Sequence, residues 1–143
     1  AQFVGFVVAV PLMRVEEMKL IEAEAAGMQD EGRGKTLLEA FAKTRDPQYT
    51  YNDLQSFRDN VWWQRRVELW GEGFATFDIK RFEKGITRSY AGTNHPKGYR
   101  WNTDGVPDWM NLCIVGTEVN FNQACTNNPT PIQPTEDSPE KVW

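Results

Sequence analysis

The segment from Gln64 to Arg81 restricts the fold more than any other part of this 143-residue chain. Carboxylates at Glu68, Glu72 and Asp78 alternate there with basic side chains, and large aromatic residues lie among them. Opposite charges three or four residues apart share one face of an α-helix and usually form structural ion pairs there. The segment therefore predicts a helix that is buried on one side. The residues expected in these ion pairs are Arg65, Glu68, Glu72, Asp78 and Arg81.

Two further helices are predicted upstream of this segment. Apolar residues recur at spacings of three and four from Val15 to Met28, which is typical of an amphipathic helix. They are Val15, Met18, Ile21, Ala25 and Met28. A second helix is expected over 36–44, with the glycines of 27–34 breaking the chain between the two. Alanine-rich faces would let the pair approach closely as an antiparallel hairpin of the tetratricopeptide type. Those alanines are Ala23, Ala25 and Ala26 on one helix and Ala40 and Ala42 on the other.

A third helix is predicted to begin near Asn52 or Asp53, because either side chain can cap the free N–H groups of a first turn. After Phe82 the helical period ends. We expect a long loop-rich region over 83–129, with minor short strands such as Leu112–Val115, and a flexible tail over 135–143. The apolar run Phe3–Val10 favours a buried strand and is too short to span a bilayer. The predicted fold class is thus mainly α, with tetratricopeptide-like helical pairs followed by loops.

Charge and ligand supply exclude several classes of function. The net charge of -4, with basic residues interspersed among acids, argues against a nucleic-acid partner. With two cysteines and one histidine, a metal site has almost no ligand supply, and no cofactor is predicted. Cys113 and Cys125 would form a small disulfide loop in an exported protein or stay free in the cytosol. A carboxylate pair for glycoside hydrolysis at Glu68 and Glu72 is set aside in favour of ion pairs, so no catalytic residue is assigned.

The loop region holds the candidate ligand-binding residues. Rings lie there beside amides, and sugars stack on flat apolar rings while amide groups exchange hydrogen bonds with their hydroxyls. The alternative is that these rings only fix long loops onto the helical body. The candidates are Tyr90, Tyr99, Trp101, Asn102 and Trp109.

Three ordered blocks resemble the SusD/RagB family of nutrient-binding proteins. The first is the family's helix R-x-x-E-M-x-L-I-x-A-E-A, which residues 14–25 match almost throughout. The second, E-R-x-x-E-L-x-x-E-G-x-R-x-x-D-L-x-R, is matched over 64–81, except that Gln64 stands where Glu is usual and Ala75 where Arg is usual. The third, I-P-x-x-E followed by N-P, appears at 114–118 and 128–129, with Val115 in place of the proline. The resemblance covers about residues 10–134.

This resemblance implies a function that composition does not. Members of the family are lipid-anchored at the outer-membrane cell surface and deliver glycans or other nutrients to a TonB-dependent, SusC-like transporter. The chain would be the C-terminal part of such a protein over 1–134, helical over 14–82, with the lipid-bearing cysteine in an N-terminal part outside this sequence. We therefore expect a binding protein and not an enzyme. The alternative is a structural or protein-interaction module that contacts the transporter without binding ligand.

Overall fold

A computed structural model describes residues 13–128 and 134–143. The chain divides into two compact units, here called the N-terminal unit (Ala1–Phe74) and the C-terminal unit (Ala75–Trp143). The predicted fold class is confirmed, since the described residues are mainly helical with long loops. The strand predicted over Phe3–Val10 lies outside the described residues. Among the residues described, no helix combines the length and the apolarity needed to cross a bilayer.

Helix α1 (Val15–Gln29) forms where the periodicity predicts it, but it packs on a different face from the one expected. Its buried residues are Glu17, Leu20, Ala23 and Ala26. The apolar residues that defined the predicted face are exposed, Val15 by 66% and Met28 by 80%. The small side chains on the buried face allow the close approach of a second helix. This close packing decides which face is buried, although the larger apolar residues lie on the exposed side.

A single residue separates α1 from α2 (Glu31–Lys43). Asp30 has an extended backbone, and its side chain accepts hydrogen bonds from the N–H groups of Gly32 and Arg33, which caps α2. The predicted break over 27–34 is therefore wrong. The glycines lie inside the two helices, because a capping aspartate is enough to reverse the chain.

Gly27 and Gly34 are the points of closest approach in this helical hairpin. A Cβ added at Gly34 would overlap the Cα of Gly27 and lie 2.7 Å from its backbone nitrogen. The same added atom would lie 2.7 Å from Cζ of Phe57, which packs over both glycines. Only glycine lets two backbones approach so closely. Of the alanines expected at this contact, Ala23, Ala26 and Ala42 are buried, whereas Ala25 and Ala40 are exposed.

Helix α3 (Phe57–Glu68) starts later than predicted. Its capping residue is Ser56, whose hydroxyl accepts a hydrogen bond from the N–H of Asp59, and not Asn52 or Asp53. The predicted continuous helix to Arg81 is also wrong, because Gly71 and Gly73 adopt φ angles of 81° and 87°. Such left-handed backbone cannot continue an α-helix. A separate helix, α4 (Ala75–Arg81), begins the C-terminal unit.

Loops make up most of the C-terminal unit. A short 3-10 helix (Asp108–Met110) and helix α5 (Gly116–Phe121) interrupt them. The short strand predicted over Leu112–Val115 does not form, and the β-structure described here consists of isolated bridges. One bridge pairs Thr87 with Asn102, and the other pairs Tyr90 with Lys141.

The tail over 135–143, which we predicted to be flexible, is held against the loops of the C-terminal unit. The carboxylate of Asp137 accepts hydrogen bonds from the N–H groups of Gly98 at 2.8 Å and Arg100 at 2.9 Å. Further along, the N–H of Lys141 donates to the carbonyl of Ser89 at 2.9 Å. The polar composition that indicated disorder instead supplies acceptors and donors for backbone groups of distant loops.

Candidate functional site

Three of the predicted ligand-binding rings form a cluster in the C-terminal unit. The ring centroids of Tyr99 and Trp101 are 5.6 Å apart, and those of Trp101 and Trp109 are 5.1 Å apart with the planes at 63°. Trp101 is only 5% exposed, whereas Tyr99 is 56% exposed and Trp109 is half-buried. The central ring is therefore part of the core of this unit. The two outer rings are the ones that offer apolar surface to a ligand.

The side chain of Asn102 is fully engaged in hydrogen bonds within the C-terminal unit. Its Oδ1 accepts hydrogen bonds from the N–H groups of Arg88 and Ser89, both at 2.9 Å. Its Nδ2 donates to the carbonyls of Ser89 and Pro139, both at 3.1 Å. An amide side chain has two donor hydrogens and two acceptor lone pairs, and all four positions are used. These bonds join the tail to the loops and disfavour a ligand role for Asn102, which stays a prediction.

Tyr90 is half-buried and belongs to the second bridge, where its backbone pairs with Lys141. Within the described part of the chain, its ring makes no contact with the cluster of Tyr99, Trp101 and Trp109. The four rings of the predicted five-residue group thus separate into a ring cluster and one ring beside the tail.

Glu68 and Glu72 form ion pairs as predicted, but with cations from outside the segment that defined the pattern. In the N-terminal unit, Glu68 accepts hydrogen bonds from Arg45 Nε at 2.9 Å and from Arg14 Nη1 at 3.2 Å. Arg14 also pairs with Glu72 at 2.6 Å, and Glu16 joins both arginines at 3.2–3.4 Å. Both arginines come from outside the segment that defined the pattern. This arginine–glutamate network joins α1, the end of α2 and the end of α3.

The network favours the ionised form of the Glu68 carboxylate. Hydrogen bonds from Arg45 and then Arg14 lower the pKa of Glu68 below its ordinary value of 4.5, against the opposing effect of burial. Glu72, as the first cause, and Glu68 raise the pKa of Arg14 above its ordinary value. A carboxylate held in this state cannot donate a proton at neutral pH. The arrangement is that of a structural network.

The remaining predicted ionic residues lie elsewhere. Asp78 is buried and accepts a hydrogen bond from Arg81 Nε at 2.7 Å, three residues along α4. Arg65 is buried at 5% exposure in the N-terminal unit, with its guanidinium 5.9 Å from the ring centroid of Phe74. These residues support packing within each unit.

Cys113 and Cys125 are both free thiols in the structure, the first exposed and the second half-buried. They are not joined in the disulfide that an oxidising compartment would have allowed. Among the residues described, no three His, Cys, Asp or Glu side chains are grouped as metal ligands.

The N-terminal unit holds a cleft of about 270 Å³ that the sequence did not predict. The turn before α3 forms one side of it, and α3 itself forms the other. Its lining residues are Tyr49, Thr50, Asn52, Gln55, Asn60 and Trp63. The run of hydroxyl and amide residues over 49–55 is the sequence signal for this cleft. The same run also predicts a helix start, and that was the only interpretation given to it above.

Comparison with known proteins gives one match. A family model described as the SusD family matches residues 8–136. No curated protein and no solved structure matches the chain.

Proposed function

Because this chain belongs to the SusD family, whose members bind nutrients at the cell surface, we propose that it acts as a binding protein that delivers glycans to a TonB-dependent outer-membrane transporter. The observation that carries the proposal is the family match, which spans nearly the whole chain. Members of this family are outer-membrane lipoproteins, and we propose the same location for this protein. Capture and transfer of the ligand need no covalent step, which agrees with carboxylates that are held in ion pairs.

The ligand surface proposed in the C-terminal unit is the pair of outer rings in the aromatic cluster. Tyr99 and Trp109 contact Trp101 from two sides and keep part of their own surfaces accessible. Two rings whose positions are fixed by a buried third ring lose little conformational entropy when a ligand stacks on them. A rigid, partly exposed pair of rings suits the apolar C–H faces of a sugar.

Isothermal titration of the chain with a panel of neutral oligosaccharides tests this surface. We expect Tyr99→Ala and Trp109→Ala each to weaken binding at least about tenfold, equivalent to about 1.4 kcal/mol. Tyr99→Phe keeps the ring and should retain most of the affinity. Trp143→Ala removes an exposed ring outside the cluster and serves as the matched control. Unchanged affinity in both alanine variants would refute the ligand role of the cluster.

A protein-interaction role is the second candidate, and exposed apolar residues around α5 favour it. Leu112, Val115 and Phe121 are 83%, 67% and 88% exposed. Three exposed apolar side chains within the stretch 112–121 favour a surface that contacts another protein. If this surface contacts the transporter, Phe121→Ser should reduce co-purification with the SusC-like partner, while sugar affinity stays unchanged. Loss of sugar affinity with intact co-purification would refute this role.

A further inference from the structure

The cleft in the N-terminal unit combines an exposed tryptophan with amide and hydroxyl groups, and we infer that it is a binding site for one uncharged sugar ring. The inference goes beyond the proposed function, because it concerns a separate site in the other unit. It depends on the contacts within the cleft and not on the transporter or the aromatic cluster.

Asn60 makes the wall of the cleft rigid. This residue is 5% exposed, and its Nδ2 donates to the carbonyls of Asn52 at 2.9 Å and Ser56 at 3.0 Å. Its Oδ1 accepts a longer hydrogen bond, 3.4 Å, from the N–H of Asn52. The turn is thereby tied to the first turns of α3. A preformed wall lowers the entropic cost of ordering a ligand.

Trp63 provides the apolar face of the cleft. It lies on α3 and is 55% exposed although it lines a concave surface. An indole ring buries a large area against a flat ligand. The ring of Trp63 is exposed to solvent and is not covered by the core. Tyr49 contributes a second, half-buried ring at the rim and shares a hydrogen bond with Gln64. Burial raises the pKa of Tyr49, so its hydroxyl stays protonated and neutral.

Polar groups in the cleft remain available for a ligand. The side chains of Thr50 and Gln55 are exposed, and within the described residues neither has a hydrogen-bond partner. Asn52 uses its Oδ1 to accept from the N–H of Leu54, which leaves its Nδ2 available. Together these groups offer a hydroxyl, two donor amides and one acceptor amide oxygen. This mixture suits the alternating donors and acceptors of vicinal hydroxyls.

The charge of the lining restricts the ligand class. None of the six lining residues is Asp, Glu, Lys, Arg or His. A carboxylate or phosphate that entered the cleft would lose hydration without gaining an opposite charge. The negative charge of Glu39 also acts on Tyr49 at the rim, which further disfavours an anion. At about 270 Å³, slightly below the usual size range of small-molecule pockets, the cleft suits a single ring.

Proton–nitrogen NMR of the indole N–H groups tests this site on the full chain. The chain has six tryptophans, and the spectrum of Trp63→Phe assigns the Trp63 signal. The probes are methyl glucoside and methyl galactoside as neutral rings, with glucuronic acid and glucose 6-phosphate as charged analogues. We expect a neutral glycoside to shift the Trp63 signal in a saturable manner, and the charged analogues to bind at least about tenfold more weakly.

Substitutions assign the binding to the cleft. Trp63→Ala removes the reporting signal, so its affinity is measured by isothermal titration with the same methyl glycosides and should be at least about tenfold weaker; Gln55→Ala should weaken the saturable shift of the Trp63 signal several-fold. Trp70→Ala is the matched control, because Trp70 is an 84% exposed tryptophan of the same unit that does not line the cleft. Circular dichroism of each variant separates loss of binding from loss of fold.

Two outcomes would overturn the inference. The first is a Trp63 signal that no neutral glycoside moves, and the second is charged analogues that bind as tightly as neutral ones. Tyr99→Ala distinguishes this site from the aromatic cluster, since it should leave the shift of the Trp63 signal intact. Sugar binding that Tyr99→Ala abolishes and Trp63→Ala leaves intact, both measured by isothermal titration, would assign the sugar to the cluster and refute the cleft.

Discussion

Substitution of Gly34 by alanine provides the sharpest test of the helical hairpin. The added Cβ would lie 2.7 Å from the backbone nitrogen of Gly27, whereas ordinary contacts begin near 3.4 Å. Two of the three nearest atoms belong to the backbone of Gly27, so no change of rotamer relieves the overlap there. The two helices must separate by at least about 0.7 Å, and a gap of that size already forfeits a quarter or more of each dispersion contact along the interface.

The expected destabilisation follows from two opposing effects. Overpacking of a well-packed contact costs about 1–3 kcal/mol, and this site belongs at the upper end because backbone meets backbone. Alanine is about 1 kcal/mol more favourable than glycine within a helix, which offsets part of the cost. We therefore expect Gly34→Ala to lower the free energy of unfolding by about 2 kcal/mol.

Gly32→Ala is the matched control, because it makes the same change in the same helix. Its added Cβ would meet only the Oδ1 of Asp30, at 3.3 Å. The gain in helix propensity and this tight contact oppose each other, so the free energy of unfolding should change by less than about 1 kcal/mol. Urea denaturation followed by far-UV circular dichroism measures both variants. Equal stability of Gly34→Ala and Gly32→Ala would refute the close approach at Gly27.

Three further predictions concern the ion-pair network, the tail and the thiols. Glu68→Gln should cost about 1–3 kcal/mol at neutral pH, because hydrogen bonds from Arg45 and Arg14 lose their charged acceptor. Because the folded-state pKa of Glu68 is lowered, this stabilisation is present above pH 4.5 and is lost as the pH falls through the folded-state pKa. The urea midpoints of Glu68→Gln and of the unsubstituted protein should therefore become equal at acidic pH. Asn102→Ala should lower the free energy of unfolding, measured by urea denaturation, by at least about 2 kcal/mol and should expose the segment over 135–143 to proteolysis. A tail that stays resistant to protease in this variant would contradict the anchoring role of Asn102. Iodoacetamide without reductant should add two adducts by intact mass, at Cys113 and Cys125; no adduct would indicate a disulfide.

Local sequence patterns predicted the helices well, because a helix depends mainly on spacing and on residues within a few positions. The apolar period from Val15 to Met28 gave α1 almost to the residue. The three motif blocks also identified the family without any knowledge of the fold. The same local patterns failed where one cap or one backbone angle was decisive. Asp30 replaces a predicted eight-residue break, and the left-handed backbone of Gly71 divides a predicted helix.

The candidate ligand site could be predicted only in part. Tyr99, Trp101 and Trp109 do come together, as ring-rich loops suggested. The sequence could not show that Trp101 is buried, because burial depends on which distant residues cover a ring. Nor did it indicate that Asn102 has no free hydrogen-bonding position, since its three partner residues, Arg88, Ser89 and Pro139, are all 13 residues or more away.

Motifs and helical spacing along the chain are thus enough to identify a mainly helical member of a nutrient-binding family whose carboxylates need cationic partners. Which cations those carboxylates pair with depends on the three-dimensional arrangement of the helices. Helical spacing offered Arg65 to Glu68, but the carboxylate pairs with Arg14 and Arg45, which are 54 and 23 residues away. The reason is physical: the glycine contact between α1 and α2 fixes where both arginines lie, and a charge pairs with the nearest opposite charge in space, whatever their separation along the chain.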